Sequence, residues 1–96
     1  MRRVEKNQIY RHFKGNYYQV IDIAFNANNG DDLAKKMVIY RSLADNKLYV
    51  RDLREFGSPV DKRKYPDVKQ YYRFERVNPN KILKRLLDDI MTEGEE

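Results

Sequence analysis

The chain contains no cysteine and no tryptophan, and its only histidine is His12. Without cysteine there is no disulfide framework, no thiolate nucleophile and no thiolate-bearing zinc site. One imidazole rules out histidine clusters, so any acid–base mechanism would have to begin at His12. His12 has no recognisable nucleophile to serve: Ser42, Ser58 and Thr92 stand outside any nucleophile motif. No run approaches the roughly 18 apolar residues that a membrane span needs, and the opening Met1-Arg2-Arg3-Val4-Glu5-Lys6-Asn7 lacks the apolar core of a signal peptide. A cytoplasmic protein with no membrane association is expected.

What is present is apolar enough to fold. The 96 residues are 41% hydrophobic, 36% charged and 12% aromatic, a balance that separates the chain from disordered sequences. At this length one core is expected, and most of the aromatic rings are needed inside it. The formal charge of +5 and the pI near 9.5 bias encounters towards polyanions or acidic protein surfaces. The fifteen acidic residues that offset twenty basic ones also fit an ordinary mixed-charge surface.

Short runs rich in Tyr, Val, Ile and Phe, separated by turn residues, predict strands at Ile9 to Phe13, Tyr17 to Phe25, Lys36 to Leu43, Lys47 to Leu53 and Gln70 to Val77. Gly15 and Asn16 tolerate positive φ and predict a hairpin between the first two. Residues 26–32 read as a longer polar loop, Ala44-Asp45-Asn46 as a short turn, and residues 57–67, with two prolines and a glycine, as a mobile loop that cannot be a central strand. Such spacing is that of an all-β barrel or sandwich.

Asn78-Pro79 has the chemistry of a helix start, and Ile82, Leu83, Leu86, Leu87, Ile90 and Met91 form an apolar stripe at helical spacing. Lysines early and carboxylates late oppose the helix dipole, so packing must hold this helix. It either docks on its own domain or pairs with a second copy to make a homodimer. The expected organisation is an N-terminal arm at 1–8, a β-domain at 9–77, a C-terminal helix at 78–92 and a frayed tail at 93–96.

The run Tyr10-Arg11-His12-Phe13-Lys14-Gly15, followed by Tyr18, Val20 and Ala24, resembles the opening of a bacterial family of short proteins known as a domain of unknown function numbered sixteen fifty-three. Val38-Ile39-Tyr40 with Ser42-Leu43, Leu48-Tyr49-Val50-Arg51 with Leu53 and Phe56, and Arg73-Phe74-Glu75 resemble its later strands in the same order. The resemblance implies a mainly β fold, a small five-stranded barrel of the SH3 type, and implies no biochemical activity. Where family members often carry a His-Ser-Glu-Thr-like loop, this chain has Asn26-Ala27-Asn28-Asn29; a frequent strand-four tryptophan is replaced by Tyr49 and a following proline by Asp52.

Neither metal nor cofactor chemistry is legible. Asn26, Asn28, Gly30 and Asp32 alternate as a calcium loop would but lack its closing glutamate, and there is no phosphate-cradling glycine loop. Adjacent carboxylates such as Asp31-Asp32 and Asp88-Asp89 do not face one another. The most suggestive stretch is 62–76, in which Lys62, Arg63, Lys64, Lys69, Arg73 and Arg76 interleave with Tyr65, Tyr71, Tyr72 and Phe74, as on small barrels that bind single-stranded nucleic acid. Strand alternation competes with that reading by putting Tyr72 and Phe74 in the core. A second candidate is an aromatic groove of Tyr10, Tyr17, Tyr40 and Tyr49 with Arg51, of the kind SH3-type barrels use for extended peptides. The binding candidates are therefore Tyr10, His12, Lys14, Tyr40, Tyr49, Arg51, Lys64 and Arg73. A noncatalytic module for a protein or peptide partner is expected, with single-stranded RNA or DNA as the alternative.

Overall fold

A computed structural model of the chain describes residues 3–29 and 35–81. Five antiparallel strands, β1 (Ile9–His12), β2 (Tyr17–Phe25), β3 (Lys36–Ser42), β4 (Leu48–Asp52) and β5 (Phe74–Val77), form one sheet in the order β4-β3-β2-β1-β5. All five expected strands are present, and β2 has the expected bounds. The β1–β2 turn closes as glycine permits: Gly15 takes a φ of +112° and its N–H donates to the His12 carbonyl at 2.8 Å. At the β3–β4 turn the left-handed position falls to Asn46, with a φ of 62°, while Ser42 Oγ accepts from the Ala44 N–H at 3.2 Å. Asparagine tolerates this conformation better than other residues bearing a Cβ.

Register explains the core. Tyr10 lies opposite Tyr18, Val20 opposite Tyr40, Tyr40 opposite Tyr49 and Val38 opposite Arg51. Directly paired residues share a face, so these side chains line one inner surface. Between Val20 and Asp22 the β2–β3 register shifts by a bulge, which bends the long strand. Tyr10, Val20, Val38, Tyr40, Phe56 and Phe74 are the buried cluster on that surface. Leu48 and Val50, on the opposite face of β4, are 58% and 61% exposed.

A short helix that the sequence did not announce, α1 (Leu53–Phe56), follows β4 immediately. Asp52, the last residue of β4, caps the start of this helix: its Oδ1 accepts from the Arg54 N–H at 2.8 Å. This single turn drops Phe56 into the core, with 1% of its surface exposed.

The closed barrel expected from the family resemblance is corrected here. The hydrogen-bonded ladder ends at β4 on one side and β5 on the other, and these two strands do not pair. β4 ends at Asp52, and β5 begins only at Phe74 rather than at Gln70. The residues just before it are otherwise engaged: Pro59 and Tyr72 form an isolated bridge, the Val60 N–H donates to the Tyr71 carbonyl at 2.8 Å and the Arg73 N–H to the Ser58 carbonyl at 2.9 Å. Gln70 Nε2 donates to the carbonyls of Arg11 and Tyr72 at 3.0 and 2.9 Å, pinning the segment to β1.

At the C-terminal end Asn78 caps as expected, its Oδ1 accepting from the Asn80 N–H at 2.9 Å, and residues 79–81 are helical. The apolar stripe from Ile82 to Met91, and with it the homodimer expectation, lies outside the described residues. Among the described residues, no helix is long and apolar enough to cross a membrane.

Candidate functional site

The inner face of the sheet does not end at the core. His12 lies opposite Phe74 in the β1–β5 pairing, and Arg51 projects from the core face of β4, so both sit at the margin between the unpaired edges. There the surface opens into a cavity of about 270 Å³ lined by His12, Phe13, Lys14, Arg51, Asp61, Lys64, Tyr65 and Arg73. Four of these side chains are lysine or arginine and one, Asp61, is a carboxylate.

Each side chain has a local reason for its position. Lys14 occupies the tight turn set by Gly15, and its backbone N–H donates to Nδ1 of His12 at 3.1 Å. That bond makes Nδ1 the acceptor and leaves the proton on Nε2 in the neutral ring. Arg51 donates through Nε to the Tyr40 hydroxyl at 3.3 Å, pairs with Glu55 at 3.6 Å one helical turn on, and lies over the Phe74 ring at 5.9 Å. Arg73 donates through Nε to Ser58 Oγ at 3.4 Å. Asp61 is partly satisfied by its own turn, Oδ1 accepting from the Arg63 N–H at 3.0 Å. Lys62 staples the same loop, its Nζ donating to the Val68 and Gln70 carbonyls.

One wall is aromatic. The Phe13 and Tyr65 rings lie 4.8 Å apart, with Lys14 Nζ 5.7 Å and Lys64 Nζ 5.6 Å from the Tyr65 centroid, inside cation–π range. His12 is wedged among rings as well, 4.4 Å from Phe13 and 4.9 Å from Phe74. Burial, followed by the positive charges of Arg51, Arg73 and Lys14, lowers the pKa of its imidazole from 6.5 to about 4. His12 is therefore neutral at physiological pH, a hydrogen-bond donor without charge.

Of the sequence-derived candidates, His12, Lys14, Arg51, Lys64 and Arg73 come together around this cavity. Tyr10 and Tyr40 do not: they are 3% and 4% exposed and belong to the core, so the aromatic groove expected from Tyr10, Tyr17, Tyr40 and Tyr49 does not form. Tyr17 and Tyr49 remain at the surface, Tyr49 stacked on Tyr40 at 5.7 Å. Tyr10 and Tyr40 were needed for packing, as in any small domain rich in rings. Phe13, Asp61 and Tyr65 line the cavity without having been singled out as binding residues. Phe13 was legible only as its neighbour in the Tyr10–Gly15 motif and Tyr65 only as part of the basic-aromatic stretch.

Two other recesses are chemically plainer. One, of about 20 Å³, lies among Val4, Tyr10, Phe56, Gly57, Tyr72 and Phe74 and has room for little more than a water molecule. The other, of about 410 Å³, lies beside the N-terminal arm and is bordered by Arg3, Glu5, Lys6 and Lys36 with Val4, Ile23 and Leu53. Its charges are already mixed, with Arg3 and Glu5 paired at 3.2 Å. Among the described residues no group of three or more His, Asp or Glu side chains is placed to hold a metal ion.

No curated protein and no solved structure matches the chain. A family model does, over residues 8–76, which include β1 to β4, all of β5 but its last residue, Val77, and every residue of the cationic cavity. The chain thus belongs to the family described as "Protein of unknown function (DUF1653)".

Proposed function

We propose that this protein is a noncatalytic binding module built on a five-stranded sheet that stays open between β4 and β5, and that the open side receives an anionic group of a protein or peptide partner. The observation that carries the reading is the convergence of Lys14, Arg51, Lys64 and Arg73 on one recess whose only lining carboxylate among the described residues, Asp61, is held by its own turn. Folding brings like charges together at a cost, and an anion relieves it. The recess lies at the low end of the roughly 300–1,000 Å³ typical of small-molecule sites, a size that accommodates one group on a larger partner. A binding role also fits His12, whose Nδ1 lone pair accepts from the Lys14 N–H, a bond that competes with its use as a general base.

Single-stranded nucleic acid is the second reading, favoured by Tyr71, which is 62% exposed and is flanked in sequence by the exposed Lys69 and Arg76. Rings and cations in that arrangement offer a stacking platform and phosphate contacts. Lys62 weakens it, being spent on loop carbonyls.

Fluorescence anisotropy with a labelled polyglutamate peptide, a labelled polylysine peptide and labelled single-stranded RNA separates the readings. Saturable polyglutamate binding that weakens in Arg73→Ala is expected. RNA binding that is tighter than polyglutamate binding and falls steeply with salt would transfer the function to the second reading.

A further inference from the structure

The cavity's charge and donor geometry select among anions. We propose that it is a phosphoryl-group site, built for the phosphate of a phosphorylated side chain on the partner, and this rests on the reading of the recess as an anion site. Its donors come from separate parts of the fold: His12 from β1, Lys14 from the β1–β2 turn, Arg51 from β4, Lys64 from the segment after α1, and Arg73 from just before β5. A carboxylate presents two oxygens in one plane, a geometry that a single guanidinium fork matches. Donors arriving from several directions match the three terminal oxygens of a tetrahedral phosphate monoester.

Charge points the same way. Four cations against Asp61 leave a nominal excess of three positive charges around the recess, and Glu55, paired with Arg51, is the nearest further compensation among the described ion pairs. A phosphate monoester brings about −1.5 to −2 charges near neutral pH, and the surrounding cations would drive it to the full dianion. A carboxylate brings one. Neutral His12, with its proton on Nε2, adds a donor without adding repulsion among the cations. The Phe13–Tyr65 wall gives the carrier of the phosphate an apolar surface to lie against.

The single histidine makes the test direct, because its imidazole protons are resolved in a proton NMR spectrum. Three glycine-serine peptides are titrated into the protein, bearing phosphotyrosine, phosphoserine or glutamate at the central position, together with a 5′-phosphorylated oligonucleotide. The groups facing His12 are Tyr18 from β2, Lys14 from the turn, Arg51 from β4, Asp61 and Lys64 from the segment after α1, and Arg73. A bound dianion among these cations raises the imidazole pKa. The expected result is movement of the His12 resonances by at least one phosphopeptide, an upward pKa shift, and affinity at least about tenfold above the glutamate peptide. The same affinity should drop about tenfold in Lys64→Ala, an exposed position whose loss leaves the fold intact by the same spectrum. The phosphotyrosine and phosphoserine arms distinguish the two carriers. Equal affinity for phosphopeptide and glutamate peptide overturns the phosphoryl proposal and leaves the anionic-peptide reading standing. No movement of His12 with any peptide overturns both, and tighter binding of the oligonucleotide overturns both in favour of nucleic acid.

Discussion

The rings of Phe56 and Phe74 stack face to face, their centroids 4.1 Å apart and their planes 8° from parallel. One comes from the single-turn helix after β4, the other from the first residue of β5, so this contact spans the two edges that the backbone ladder leaves unpaired. The apolar stack joins these edges where hydrogen bonds do not, and its Phe74 ring also packs against His12 and under Arg51 of the cationic recess.

Phe74→Ala is accordingly expected to cost on the order of 3–5 kcal/mol in a denaturant titration, the usual range for deleting a buried ring. A loss below about 1 kcal/mol would mean that the stack contributes little and that the two edges are held by something else.

Asp52 connects that stack to the end of β4. Replacing its carboxylate by an amide in Asp52→Asn should be nearly neutral, because asparagine also caps, whereas Asp52→Ala should cost about 0.5–2 kcal/mol. Equal stabilities for the two variants would show that the bond to the Arg54 N–H is not what holds α1.

Because His12 has a pKa of about 4 when folded, against 6.5 for the free side chain, the unfolded chain binds more protons between those values. Stability is then fully present above about pH 6.5 and falls as the pH is lowered towards 4, by on the order of 1–2 kcal/mol once solvent screening is allowed for. Chemical denaturation at a series of pH values should show this slope, and His12→Gln should flatten that part of it. An unchanged slope in the variant would assign the acid sensitivity to carboxylates.

Gly15→Ala tests the hairpin. Nothing lies within 4 Å of a Cβ built at this glycine, so the substitution meets no neighbour and its cost is the backbone strain of a φ of +112°. On the order of 1–2 kcal/mol is expected, and thermal unfolding would detect it; a neutral result would mean that the turn relaxes to another form.

Lys64→Ala and Lys14→Ala remove exposed charges from the recess rim, and each should change stability by less than about 0.5 kcal/mol. Because stability is unchanged, a loss of anion binding in either variant reports on the site itself. Arg51→Ala would be harder to interpret, since Arg51 also donates to Tyr40 and lies over Phe74.

The five strands and their turns were legible because the signals for them are local. Alternation in Tyr17–Phe25, the glycine at Gly15 and the cap at Asn78 act within a few residues of the structure that they specify. The error at the start of β5 has an equally physical source: Gln70 to Arg73 have strand-forming composition, yet Pro59, Val60 and Ser58 compete successfully for their backbone groups. The α1 turn was hidden because four residues carry no periodicity, and the Asp52 cap could have been read only by knowing that β4 stops there.

The amino-acid sequence by itself determined a mainly β domain, the order of its strands along the chain, and the residue types available for binding: no cysteine, one imidazole, and cations interleaved with rings. Only the tertiary structure decided which of these meet. His12, Lys14, Arg51, Lys64 and Arg73 lie as many as 61 positions apart in the chain (73 − 12), and their convergence depends on β1 pairing with β5 while β4 remains unpaired on the far side. The choice of Tyr10 and Tyr40 for the core, with Tyr17 and Tyr49 left at the surface, follows from the same long-range registers. A ring's burial depends on what packs against it, which no local pattern of residues encodes.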